Sequence, residues 1–267
     1  MTFSPVTTVP VDDVHLGYRE SGSGYPLILI NGLASTMDMW NLPVLTAISE
    51  HFRVIIFDNR GTGYSGSSGK LISIHLLARD TAGLMDVLGI SSAHVLGFSM
   101  GASIAQEFAL CFPERISRLI LISGDCGGAE SIRSDAGIMA RLLDKSGTVS
   151  DVANRMFSLI FPPSWLATHD PLRYCPEVYE TTREETIAAQ ASAFYGWTGS
   201  FARLGEIRSP TLVITGTDDV IVPPTNSRIL SGRIPGAVLV EIHGAGHGLM
   251  YQFPDRFSNC VLKFLEG

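Results

Sequence analysis

The sequence predicts an α/β protein built on a mostly parallel sheet, and three observations carry that prediction. Short, continuous apolar runs recur along the chain, as strands covered on both faces require. Longer amphipathic stretches separate them, which implies right-handed crossover helices between parallel strands. A glycine-flanked serine, Gly97-Phe98-Ser99-Met100-Gly101, sits where one apolar run gives way to a helical one.

Residues 14–19 alternate like a half-buried strand, and residues 27–30, 54–57, 93–96, 119–122, 212–214 and 238–240 are the continuous apolar runs. Helical patterns fall at about 40–50, 73–88, 100–111, 224–232 and 254–265. One interval breaks the rhythm. Residues 123–210 contain no buried strand and read as helices at about 130–145, 150–160, 176–182 and 184–196. Pro162-Pro163 and Asp170-Pro171 mark turns within it. An insertion that leaves one strand end and returns before the next strand folds over that end, where open α/β sheets bind ligands. The expected division is a core domain of residues 1–124 and 206–267 with a helical cap at 125–205. Aromatic residues of the cap, among them Trp165, Phe194 and Trp197, are candidates to line a pocket beneath it.

The 267 residues are 45% hydrophobic, enough for a sizeable core. A formal charge of −7 without a Lys/Arg cluster argues against nucleic acid as a partner. The first ten residues lack a basic stretch followed by an apolar one, so no signal peptide is expected. No apolar run approaches the roughly 18 residues of a spanning helix, and no membrane association is expected. Cys111, Cys126, Cys175 and Cys260 are far apart and read as reduced thiols, which suits a cytoplasmic protein.

A strand that reverses sharply into a helix puts the residue at the turn into a strained backbone conformation. Such strain costs about 1–3 kcal/mol and persists where function needs it. The turn lifts the Ser99 hydroxyl clear of the sheet at the positive end of a helix. A serine nucleophile needs a base and a group to orient that base. His247, in Gly244-Ala245-Gly246-His247-Gly248, follows the last strand and is the candidate base. Asp219, just beyond the strand at 212–214, is the preferred acid; Asp125, beyond the strand at 119–122, is its rival.

Three patterns suggest other chemistries. Gly61-Thr62-Gly63-Tyr64-Ser65-Gly66 matches a dinucleotide fingerprint, but no helix opens at its third glycine. His243 and His247 are four apart, as in zinc sites, yet glycines between them make a helix there a poor reading. His94 lies in a strand and reads as a satisfied core histidine. No metal and no cofactor are expected.

The order serine, acid, histidine resembles the α/β-hydrolase superfamily. Asn31-Gly32-Leu33-Ala34-Ser35, the segment from Asp58 to Ser65, the Ser99 elbow, the stretch from Pro210 to Pro223 and the His247 loop carry the resemblance. It is nearest to the capped esterase, enol-lactonase and cofactor-free haloperoxidase-like group. The resemblance implies an eight-stranded sheet and an oxyanion hole made by the backbone N–H groups of Leu33 and Met100. Donors aimed at a developing oxyanion contribute about 3–4 kcal/mol each. Where many relatives carry histidine-glycine this chain has Asn31-Gly32; the donor is backbone, so the change need not abolish the hole. The implied activity is hydrolysis of a small carboxylic ester or lactone through an acyl-enzyme. Perhydrolysis or C–C bond hydrolysis on the same residues is the alternative, and a non-enzymatic small-ligand receptor is a third.

Overall fold

The six apolar runs, the alternating segment and one edge strand form an eight-stranded sheet in the computed structural model, which describes residues 3–144 and 146–267. The strands are β1 (Thr7–Val11), β2 (Val14–Ser21), β3 (Pro26–Ile30), β4 (Arg53–Phe57), β5 (Ala93–Phe98), β6 (Ile116–Ile122), β7 (Thr211–Gly216) and β8 (Val238–Ile242). Their order across the sheet is β1-β2-β4-β3-β5-β6-β7-β8. β1 and β2 pair antiparallel, β2 meets β4 antiparallel, and every later pairing is parallel. β1 has no apolar run: Thr7 and Thr8 are exposed, and the strand is held at the edge by its hairpin with β2.

The alternation of side chains along each strand divides the core in two. Ile28, Ile30, Ile55, Phe57, Val95, Leu119, Leu121 and Val213 face one side. There they meet α2 (Ile74–Val87), α3 (Met100–Cys111) and α8 (Thr225–Arg233). Leu27, Leu29, Val54, Ile56, Leu96, Ile120, Ile122, Leu212 and Ile214 face the other side, against α1 (Leu42–Ser49), α9 (Leu249–Gln252) and α10 (Pro254–Glu266). Both faces are covered, so the strands read as unbroken apolar runs rather than alternating ones.

Between β6 and β7 the described residues contain helices and no strand: α4 (Ala136–Leu143), α5 (Val149–Ile160), α6 (Pro163–Leu166) and α7 (Glu184–Tyr195). Thr148 and Asp151 form a reciprocal capping box at the start of α5. The expected helix at 130–145 begins only at Ala136, because Asp135 caps it there. The expected helix at 176–182 does not form. Its backbone and side chains bond other loops instead: the Tyr179 N–H donates to Asp38, and the Thr182 hydroxyl donates to the Ala34 carbonyl.

The glycine-rich segment after β4 is a structural turn. Asp58 accepts hydrogen bonds from the N–H groups of Met37 and Tyr64, at 2.6 and 2.8 Å, and a side chain at Gly63 would collide with its carboxylate. Burial pushes the Asp58 carboxyl up to about 6 despite those two donors. Next to it, the buried Arg60 forks onto Asp80 at 2.5 and 2.6 Å. His94 is indeed in the core, between the rings of Tyr25 and Phe52, but it is not satisfied: its Nδ1 is buried without a hydrogen-bond partner among the described residues. Burial, aided by Arg118, pushes the imidazole down to about 4.

Removing one member of a buried ion pair strands the other charge. Arg60→Met is therefore expected to cost about 3–5 kcal/mol of unfolding free energy, read by urea denaturation. His94 has a folded pKa below its unfolded value of 6.5, so its contribution is complete above pH 6.5 and is lost as pH falls toward about 4. His94→Phe should lose less stability than the wild type between pH 7 and pH 5, measured by urea midpoints at each pH.

Candidate active site

The Ser99 elbow follows from two close approaches that only glycine permits. A side chain at Gly97 would collide with the Gly101 carbonyl, and one at Gly101 would collide with the Ile30 carbonyl. Helix α3 thus starts almost against the sheet, and the chain turns into it through Ser99 at φ 55°, ψ −121°. The turn is pinned by the Ser99 N–H to Ile122 at 2.9 Å and by the Ala102 N–H to the Ser99 carbonyl at 2.8 Å. Ser99 is partly exposed, whereas Met100 and the first turns of α3 are buried.

Asp219 and His247 come from the loops after β7 and β8, on the same carboxyl edge of the sheet as Ser99. His247 Nδ1 lies 2.8 Å from Asp219 Oδ2. The other carboxylate oxygen accepts the N–H groups of Ile221 and Val222, at 3.0 and 2.9 Å. The acid is therefore held at both oxygens and buried. The two loops interlock: a side chain at Gly216 would collide with the Ala245 carbonyl, and the Asp218 N–H donates to that carbonyl at 2.8 Å. The Gly246 N–H donates to Gln252, and the Gly248 N–H donates to Ile160 of α5, at 2.7 and 3.0 Å. The imidazole packs against Phe98, the residue before Ser99, with ring centroids 4.9 Å apart. Asp125 is engaged elsewhere: it accepts the Gly127 N–H at 2.9 Å and lies 3.7 Å from Arg133.

The Asn31-Gly32-Leu33-Ala34 loop runs beside the elbow, and a Cβ on Gly32 would stand 3.1 Å from that of Ser99. The Asn31 side chain donates to the Phe57 carbonyl and its own carbonyl accepts from Asn59, which ties the loop to β4 and the following turn. Leu33 and Ala34 are the middle of a turn closed by the Ser35 N–H to the Gly32 carbonyl. Ala34 has φ 62°, at a position where glycine or asparagine is usual. For an alanine this conformation costs about 1–2 kcal/mol.

Both backbone groups of Ala34 are bonded by the β6–β7 insertion. Its N–H donates to Gln190 Oε1 at 2.9 Å, and its carbonyl accepts from Thr182 at 2.9 Å. Gln190 is fully buried, and its Nε2 has no hydrogen-bond partner among the described residues. Sequence reasoning missed Gln190. The available signal was the stripe Thr186, Gln190, Phe194, the buried face of α7, which carries an amide at its centre.

The three aromatic candidates occupy different situations. Trp165 is the middle ring of a stack between Phe161 and His169. Phe161 abuts Gly248, next to His247. Phe194 is packed into the core beneath α7. The Trp197 indole donates to Glu107 of α3 at 3.0 Å, and Arg203 pairs with the same carboxylate, so Trp197 clasps the insertion to the core. His243 is exposed while His247 is buried. His75, Glu107 and Cys111 bring metal-ligating atoms within 4.8 Å of one another, but Glu107 is already neutralised by Arg203. A groove of about 450 Å³ between β1 and α2 includes none of the loops described above.

Comparison with known proteins agrees with this architecture. The chain is 31% identical over 256 residues to a protein of Azorhizobium caulinodans that bears the name carbamate hydrolase RutD, covering 94% of this chain and 95% of that one. It is similar to the crystal structure of an enol-lactonase from Burkholderia xenovorans, with 27% identity, a TM-score of 0.84, and 98% and 100% of the two chains covered. A hydrolase from Pseudomonas aeruginosa superposes with a TM-score of 0.82 at 30% identity, over 98% of each chain. The sequence profile of the alpha/beta hydrolase family matches residues 27–259, and the chain belongs to that family.

Proposed function

We propose that this hydrolase is a serine hydrolase that cleaves a small carboxylic ester or lactone through an acyl-enzyme, with Ser99 as nucleophile, His247 as base and Asp219 as its orienting acid. The observation that carries the reading is the left-handed Ser99 elbow on the same sheet edge as a buried His247–Asp219 pair 2.8 Å apart. The carboxylate accepts a hydrogen bond from Nδ1–H, which leaves Nε2 as the basic nitrogen of the neutral ring.

In this mechanism Ser99 Oγ attacks the carbonyl carbon as His247 Nε2 takes its proton. Negative charge gathers on the former carbonyl oxygen, where the N–H groups of Leu33 and Met100 donate to it. Asp219 stabilises the imidazolium. The tetrahedral adduct then collapses, the C–O bond to the leaving group breaks, and His247 gives its proton to the departing alkoxide. Water enters, His247 removes a proton from it, and the hydroxide attacks the acyl carbon. The second adduct expels Ser99 Oγ, which recovers a proton from His247, and the carboxylic acid departs. In a lactone the alcohol stays tethered to the product.

The β6–β7 insertion is read as a cap over this site: α5 bonds the His247 loop and α7 bonds the Leu33 loop. Carbamates are a second substrate class, favoured by the name of the relative at 31% identity. They undergo the same attack at a carbonyl flanked by nitrogen.

Ser99→Ala is expected to lower kcat for p-nitrophenyl acetate by at least about 1,000-fold, and a fluorophosphonate should label the wild-type serine and not the variant. Unchanged turnover in Ser99→Ala would end the proposal. Asp219→Asn should cost about 1,000- to 10,000-fold in kcat, while Asp125→Asn retains most of the activity. The reverse ranking would reassign the acid. A panel of acetates, butyrates, lactones and carbamates, compared by kcat/KM, then ranks the substrate classes.

A further inference from the structure

We infer that Gln190 and Thr182 of the cap are positioning residues for the oxyanion hole: they hold Ala34 in its left-handed conformation and thereby fix the direction of the neighbouring Leu33 N–H. The inference rests on the serine hydrolase reading above and deepens it by giving the cap a part in assembling the site.

Ala34 follows Leu33 directly, in a turn whose geometry favours glycine or asparagine. An alanine there is strained, and a strained loop relaxes unless its surroundings hold it. Neither group of the Ala34 residue that could relax is bonded within its own loop. The N–H goes to Gln190 and the carbonyl takes Thr182, both from residues more than 140 positions away in the chain. If Ala34 returned to negative φ, the peptide plane that carries its N–H would rotate, and the turn that orients Leu33 would rotate with it.

The position of Gln190 suits this task. The buried face of α7 is fixed on both sides of it. Thr186, one turn earlier, abuts Gly61, whose missing side chain makes the room, and Phe194, one turn later, is in the core. The carboxamide therefore reaches Ala34 from an anchored helix. Its second amide group is a further observation: Nε2 is buried with no hydrogen-bond partner among the described residues. An unpaired buried donor is costly. Covalent geometry keeps it within about 2.3 Å of the oxygen that holds Ala34. It is thus a spare N–H donor beside the oxyanion loop, suited to an oxygen of a bound ester.

The test uses the full-length protein and two near-isosteric variants, Gln190→Met and Thr182→Val, each alone and combined with Ala34→Gly. Glycine adopts positive φ without strain and so should not need the cap bonds. Readouts are the rate at which a fluorophosphonate labels Ser99, kcat and KM for p-nitrophenyl acetate, and the inhibition constant of a phenylboronic acid, whose adduct mimics the tetrahedral intermediate. Melting temperature is followed in parallel. The expected result for Gln190→Met is a 10- to 100-fold lower labelling rate and kcat, KM within about threefold of wild type, and boronate affinity weakened in proportion to kcat. Thr182→Val should show the same pattern with a smaller loss. Ala34→Gly should restore most of the labelling rate to both. The inference is overturned if Gln190→Met labels and turns over within threefold of wild type, or if Ala34→Gly fails to relieve a loss seen in a variant that still melts cooperatively. Absence of labelling in the wild-type protein would instead overturn the serine hydrolase reading.

Discussion

The architecture depends on the near-contact between the start of α3 and the carboxyl ends of β3 and β5. Gly97 and Gly101 allow helix and sheet to approach until backbone meets backbone. That approach forces Ser99 into positive φ and turns its side chain outward at the amino end of a buried helix. A side chain at either glycine would push α3 away from the sheet, and the elbow would open. Everything else at this edge is arranged around a point that backbone packing has already fixed.

The same economy of space recurs where the acid and histidine loops cross. Gly216 lies against the backbone of Ala245 and Gly246, and hydrogen bonds between the two loops close the crossing. Asp219 spends one oxygen on two backbone N–H groups and offers the other to His247. A carboxylate held in this way cannot swing, so the imidazole is fixed in plane and tautomer. The β6–β7 insertion adds the remaining restraints, touching the histidine loop through Ile160 and the Leu33 loop through Thr182 and Gln190.

Much of this was legible in the residues themselves. Strands covered on both faces announce themselves as apolar runs, and all six such segments are strands. The Ser99 elbow was legible because glycine spacing reports a backbone collision. Residues 61–66 could be set apart from a nucleotide site because the third glycine opens no helix. What escaped was structure that depends on partners rather than on local pattern. β1 buries only Val9 and Val11 against the core, too little to read as an apolar run, and its pairing with β2 completes it. Residues 176–182 read as a helix but serve as a strap whose bonds go to Asp38 and Ala34. His94 looked satisfied because strand periodicity reports burial and says nothing of a partner for its Nδ1. Gln190 sits on a helix face whose periodicity was correct, but only coordinates reveal which loop its amide meets.

The span between Ala34 and Gln190, 156 residues, has a consequence for the chain as it is being made. A ribosome delivers the amino end first, so the serine and its helix emerge long before residue 190, and before Asp219 and His247. On the reading proposed above, the nascent polypeptide carries Ser99 before His247, Asp219 and the cap bonds to Ala34 exist. In the proposed mechanism, reactivity is therefore complete only when translation is nearly finished.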